Sequence, residues 1–285
     1  MSKRKAPVYP TNSTGISKRE QLRQQQAAAA RAAQTKRIIT FAVVSVAVAA
    51  LVIAIVVVAL KTRSQNTPTN PVTPGAQITP PHVSSDGYSV IANPGKAKDG
   101  AITLEIHADY QCPACADYET YFGTVFEELA ERGDIELRMH PRTMVGDEIV
   151  HNDSSQRANI AATCADTVDK FLDMHKTIFA NQPEREGTGY TDVQLRETFP
   201  QLAGITGENL TKYLQCYDAR QTNDWVTAAE VEGLHHQLPD TSFANGIDAT
   251  PTFLANGKLV PNATLAATQP NADAVLAALR AVAEA

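Results

Sequence analysis

An α/β domain with a helical insertion, carried behind one N-terminal transmembrane helix, is the architecture this 285-residue sequence predicts. Three observations predict it. A 23-residue uncharged run occupies 38–60. Beyond it, apolar spacing alternates between the period of a strand and that of a helix. A long, purely helical stretch then separates the early strands from the late ones.

The formal charge of −6 is the sum of unlike parts. Residues 1–37 hold nine Lys or Arg against Glu20 and carry +8, residues 38–60 carry none, and the remainder carries −14. So acidic a main portion argues against nucleic-acid binding, and only the basic tail favours an anionic surface. The run 38–60 is Ile, Val, Ala, Leu and Phe, broken only by Thr40 and Ser45. As a helix it rises about 1.5 Å per residue and matches a hydrocarbon core of about 30 Å. It is too long for the core of a signal peptide, and Lys61 and Arg63 follow it where small residues would mark cleavage. The positive-inside rule places the N-terminus in the cytoplasm and the acidic part outside, so the expected arrangement is single-pass in the cell membrane with the lipid bilayer as partner. Residues 61–82, rich in Pro, Thr and Asn, read as an extended linker. Residues 83–285 suffice for one domain with a sizeable core.

Within that domain a short strand is expected at 88–92. A second follows at 101–108, where Ile102, Leu104, Ile106 and Ala108 share one face. A helix is expected over 113–132, since Tyr118, Phe122, Val125, Phe126 and Leu129 recur at three- and four-residue steps, and Gly133 ends it. The third strand is 135–139. Helices then fill about 153–237, broken near 182–191 and 204–207. Two short apolar runs, 252–255 and 258–260, flank Asn256-Gly257, a hairpin signal, and a last helix begins near Ala272. Tyr213, Tyr217 and Trp225 read as core, and His235-His236 as a solvated pair at a helix end.

The chemistry is predicted where the second strand meets its helix, at Asp109-Tyr110-Gln111-Cys112-Pro113-Ala114-Cys115. Two cysteines in CxxC spacing at a helix start can close a small disulfide, and the helix N-terminus stabilises a thiolate on the first. Pro113 suits the first helical position, where no N–H is needed. Ala116 removes the CxxCH pattern of haem attachment, and Cys164 and Cys216 lack the paired spacing of zinc knuckles, so neither cofactor nor metal is expected. A permanently closed structural bridge is the remaining alternative.

The run EIHADYQCPACADYE at 105–119, followed by GIDATPTF at 246–253 and by Asn256-Gly257-Lys258, resembles the DsbA-type thiol:disulfide oxidoreductases, in particular their membrane-anchored extracytoplasmic members. The resemblance implies a thioredoxin fold with its helical domain inserted at about 153–237. Cys112 becomes the exposed attacking or leaving thiol, Cys115 its buried partner, and Pro113 and Ala114 the helix start between them. Pro251 takes the place of the family's cis-proline, and Thr250 that of the residue presenting backbone to an extended substrate. The implied partners are exported cysteine-containing proteins and a membrane redox partner. With Cys112 and Cys115 assigned to the active site, Cys164 and Cys216 are left for a structural disulfide, a second shuttle pair being the other option.

Two departures bear on direction. Ala114 replaces the His of the CPHC enzymes, and Asp117 and Glu119 oppose a thiolate if close to it, so a couple less oxidising than theirs is expected. The family's buried acid falls here on Ile106, which leaves its neighbour Glu105 as the candidate proton carrier. Other readings are a reductase or isomerase with the same cysteines, and a redox-inert module that uses the Pro251 groove to bind an envelope protein.

Overall fold

The structure, a computed structural model, describes residues 75–285. Among these no helix is long and apolar enough to cross a membrane. The basic tail, the span expected at 38–60 and the linker as far as residue 74 lie outside them.

Strand β1 (Val90–Ile91) and β2 (Ile102–Ala108) lead into helix α1 (Pro113–Glu131) and then β3 (Ile135–Pro141). A π-helical turn, Val145–Val150, opens the insertion. It comprises α2 (Ser154–Asp166), α3 (Phe171–Ala180), a second π-helical turn (Gln194–Thr198) running into α4 (Phe199–Leu202), α5 (Gly207–Asp218) and α6 (Asn223–His235). The chain returns through β4 (Thr252–Ala255), β5 (Lys258–Val260), α7 (Asn262–Ala266) and α8 (Ala272–Glu284). The sheet has the order β1-β3-β2-β4-β5. Strands β2 and β3 run parallel, joined by α1, while the other neighbours pair antiparallel.

Alternation along β2 decides what each sheet face meets. Ile102, Leu104 and Ile106 are buried in one core with Phe122, Val125, Phe126 and Leu129 of α1 and Val275, Leu276 and Leu279 of α8. Glu105 and His107 project to the opposite face, beneath α6. Tyr213, Tyr217 and Trp225 are buried, as expected. The Asn256-Gly257 turn has φ of 47° and 77° at its two residues, the left-handed pair that such hairpins require. The loop into β4 passes so close to the end of α6 that a Cβ on Gly246 would sit 1.7 Å from the Leu234 carbonyl oxygen, and φ there is +132°. Only glycine fits that approach.

The insertion has two more breaks than the sequence signals suggest, after α2 and after α5. Each reverses through a non-glycine residue with positive φ, Asp169 at 57° and Arg220 at 48°, which carries no Gly or Pro signal. The short α7 was likewise not expected. Strand β1 is shorter than its predicted span and β3 two residues longer.

Cys164 of α2 and Cys216 of α5 form a disulfide across 52 residues of chain. In the chain-entropy picture a loop of this size is stabilised by about 4 kcal/mol. Replacing both with Ala is therefore predicted to lower unfolding stability in denaturant by about 2–4 kcal/mol while thiol exchange persists. Loss of exchange in a folded variant would instead identify a second shuttle pair.

Candidate active site

Cys112 caps α1, its Sγ accepting from the Cys115 backbone N–H at 3.4 Å. Pro113 occupies the first turn, and both Pro113 and Ala114 face solvent. Cys112 and Cys115 are free thiols here. The Thr250-Pro251 peptide is cis, as the resemblance implies, and its Thr250 carbonyl lies 3.5 Å from Cys112 Sγ. Pro251 is buried, sharing a small cavity with Cys115, Ile106, Tyr118, Glu119 and Phe253.

Cys112 is less open than expected: it retains 7% of its accessible surface and Cys115 3%. The insertion and the Thr250 loop account for the cover. Gln182 Nε2 donates to the carbonyls of Tyr110 (2.8 Å) and Cys112 (3.0 Å), and Tyr190 Oη donates to Tyr110 O at 2.7 Å. Asp109 is buried and ties the motif down, accepting from Ser155 Oγ (2.6 Å), Gln111 N (2.8 Å) and Val145 N (2.8 Å). Asp109 belongs to the motif, but its partners Val145 and Ser155 lie 36 and 46 residues away in sequence, outside any local pattern.

Electrostatics separates the two thiols. Cys112 is pulled from 9.0 down to about 6, chiefly by a hydrogen bond from the Cys115 thiol. Burial works against this, while Thr250 and the amides of Cys115 and Ala114 assist. Burial pushes Cys115 well above the ordinary thiol range, and the neighbouring Cys112 adds to the effect. The pair thus divides into a thiolate and a proton-bearing donor.

The acids are arranged otherwise than expected. Glu105 lies on the far face of the sheet from Ile106, its carboxylate 2.8 Å from His107 Nε2, because strand residues alternate sides. It does not line the cavity beneath Cys115, which Glu119 does. Burial opposes the Glu119 charge, but His175 and Lys176 outweigh it and hold the carboxyl below its usual range, with His175 Nε2 at 3.4 Å. Asp117 is exposed. The acid coupled to Cys112 is Asp109, raised to about 7 first by burial and further by the Cys112 charge. Its hydrogen bonds only partly counter that rise.

A low-pKa cysteine at a helix N-terminus, a buried CxxC partner and a facing cis-proline on a five-stranded mixed sheet define a thioredoxin-fold protein with a helical insertion. The thioredoxin family model matches residues 96–274, and the chain belongs to that family. Among solved structures it is similar to MdbA, a thiol-disulfide oxidoreductase from Actinomyces oris, at 20% identity and a TM-score of 0.55, covering 71% of this chain and 92% of that one. It is also similar to oxidised DsbA from Mycobacterium tuberculosis, at 20% identity and a TM-score of 0.49, over 69% of this chain and 93% of that one. No curated protein matches the sequence.

The linkage sign follows from the depressed thiol. Its thiolate stabilises the reduced fold fully above the unfolded value and loses that contribution as pH falls through about 6. The stability advantage of reduced wild type over Cys112→Ser is therefore predicted to grow between pH 6 and 9. Alkylation of Cys112 should titrate with a midpoint near 6, and a midpoint near 9 would contradict the arrangement.

Proposed function

We propose that the protein is a membrane-anchored extracytoplasmic thiol:disulfide oxidoreductase that forms disulfides in exported proteins. The observation that carries this reading is the Cys112 thiol, lowered to about 6 beside a buried, protonated Cys115 and the cis-Pro251 loop. A stabilised thiolate is a good leaving group and favours the reduced state, so the disulfide of this pair passes readily to a substrate. That asymmetry has no use in a redox-inert module.

In the forward reaction a substrate thiolate attacks Cys112 Sγ of the enzyme disulfide. The Cys112 to Cys115 bond breaks, and Cys115 leaves with the electron pair and takes up a proton, consistent with its raised pKa. A second substrate thiolate then attacks the substrate sulfur of the mixed disulfide and expels Cys112 as a thiolate. The substrate loses two electrons, and the enzyme, left as a dithiol, passes them to a membrane redox partner. Asp109, near 7, is placed to exchange the proton that the pair gains and loses.

Residues 248 and 249 and half-exposed Thr250 precede Pro251 along the edge of the site. An extended peptide lying there would be held through its backbone, which makes recognition tolerant of substrate sequence. The apolar run 38–60 and its basic flank support anchoring, with the acidic domain outside the cytoplasm.

With a reduced, unfolded substrate as probe, Cys112→Ser is predicted to abolish disulfide formation by the oxidised full-length chain. Cys115→Ser, charged as a mixed disulfide at Cys112, should pass that bond to a substrate with a single cysteine and stall with one substrate molecule attached, no second substrate thiolate being present to release it, as seen by non-reducing electrophoresis. Undiminished oxidation by Cys112→Ser would sink the reading.

A further inference from the structure

On the sheet face away from the cysteines, β2 and β3 place titratable groups side by side. Register pairs His107 with His140 on adjacent parallel strands, and their rings stack at 4.1 Å with 14° between planes. Glu105, two residues before His107, lies on the same face. Its Oε1 is 2.8 Å from His107 Nε2 and 3.9 Å from His140 Nδ1. One donor atom from each of Glu105, His107 and His140 lies within 4.8 Å of the others. Helix α6 roofs the group, and both histidines are buried, at 0% and 2% exposure.

Tautomers sharpen the arrangement. His140 Nε2 lies 2.8 Å from the carbonyl of Ala229, which can only accept, so Nε2 carries the ring proton. His140 Nδ1 therefore presents a lone pair toward the Glu105 carboxylate, two acceptors facing one another. The Ser89 hydroxyl meets that lone pair at 3.2 Å, the long end of the range for such a bond. The Nδ1 of buried His107 has no hydrogen-bond partner among the described residues. Near these rings stand the carboxyl groups of Glu105, Glu232 and Asp86, the last paired with Arg138, and the Arg142 guanidinium, which is engaged by Glu230 at 3.0 Å. His236 completes the rim, its ring 6.1 Å from that of His107 and its Nδ1 3.0 Å from Glu232.

We propose that Glu105, His107 and His140 bind one divalent cation of the Zn²⁺ or Co²⁺ class. Two imidazoles and a carboxylate are the borderline donor set such ions select, and a carbonyl accepting from the far nitrogen of a ligating histidine is their usual support. The 2.8 Å and 3.9 Å separations lie on either side of the roughly 3.3 Å that two donors keep when each is about 2.0 Å from a tetrahedral ion. The ion would relieve the facing acceptors, offset the local excess of carboxylate and tie β2 to β3. Because His107 lies opposite Thr252, next to Pro251, the site would brace the strands that carry both halves of the active centre. A metal here was not foreseen from sequence, where Glu105 was assigned to proton transfer and His236 to a solvated pair.

The test uses the full-length chain in detergent, with Cys112→Ser and Cys115→Ser so that no thiolate competes for metal. After chelation and dialysis it is titrated with Co²⁺. The expected result is saturable visible ligand-field absorption at one equivalent, without a thiolate charge-transfer band, that Zn²⁺ displaces. Glu105→Gln, with an unchanged circular dichroism spectrum, should weaken binding at least tenfold, and His140→Gln should abolish it. Absence of saturable absorption in the parent, or unchanged affinity in folded Glu105→Gln, would overturn the proposal.

Discussion

The Cys112 sulfur at the start of α1 is the point on which the rest of the domain depends. Its negative charge is held by the Cys115 thiol and two amides of the first helical turn, with the Thr250 loop packed across it. The groups that set its position come from three parts of the chain. Helix α1 contributes because Pro113 starts it at the sulfur, β4 because the cis peptide brings Thr250 alongside, and the insertion because Gln182 and Tyr190 fix the carbonyls just before the helix. A shift of any one would change how the thiolate is held.

This dependence gives the insertion a physical role beyond covering the sheet. Arg157 of α2, fully buried, pairs with Asp153 and the carbonyl of Tyr190, while Tyr190 itself reaches Tyr110. Asp109 accepts from Ser155 of the same helix. The Cys164–Cys216 bridge then joins α2 to α5. The bridge, α2 and the CxxC loop thus form one continuous chain of contacts, which ties the Cys164–Cys216 disulfide to the position of the CxxC pair.

Most of the framework was legible in the sequence because it rests on local signals. Periodicity marks β2 and α1, Asn256-Gly257 marks the last hairpin, and the CPAC and TPTF runs mark the two halves of the site. What escaped rests on contacts distant in sequence. Nothing near Gln182 or Ser155 signals that each ends on the active-site loop. The carboxyl beneath Cys115 was sought on β2, yet Ile106 faces that cavity and Glu119 reaches it from α1. Glu105 was misplaced by one strand position, which in a pleated sheet is a change of face. The turns at Asp169 and Arg220 were invisible because their left-handed residues are not the usual ones.

Replacement of a histidine by Ala114 and the retention of a thiolate near pKa 6 place this site between two known regimes. Cysteines with pKa about 3.5 accompany couples near about −120 mV, and those with pKa about 7 accompany couples near about −270 mV. The measurement that tests this most directly is the redox potential of the Cys112 and Cys115 couple, by equilibration against glutathione with Cys112→Ser as control. The stabilised but His-free thiolate predicts a value between those limits. A value at or above about −120 mV, or at or below about −270 mV, would contradict it.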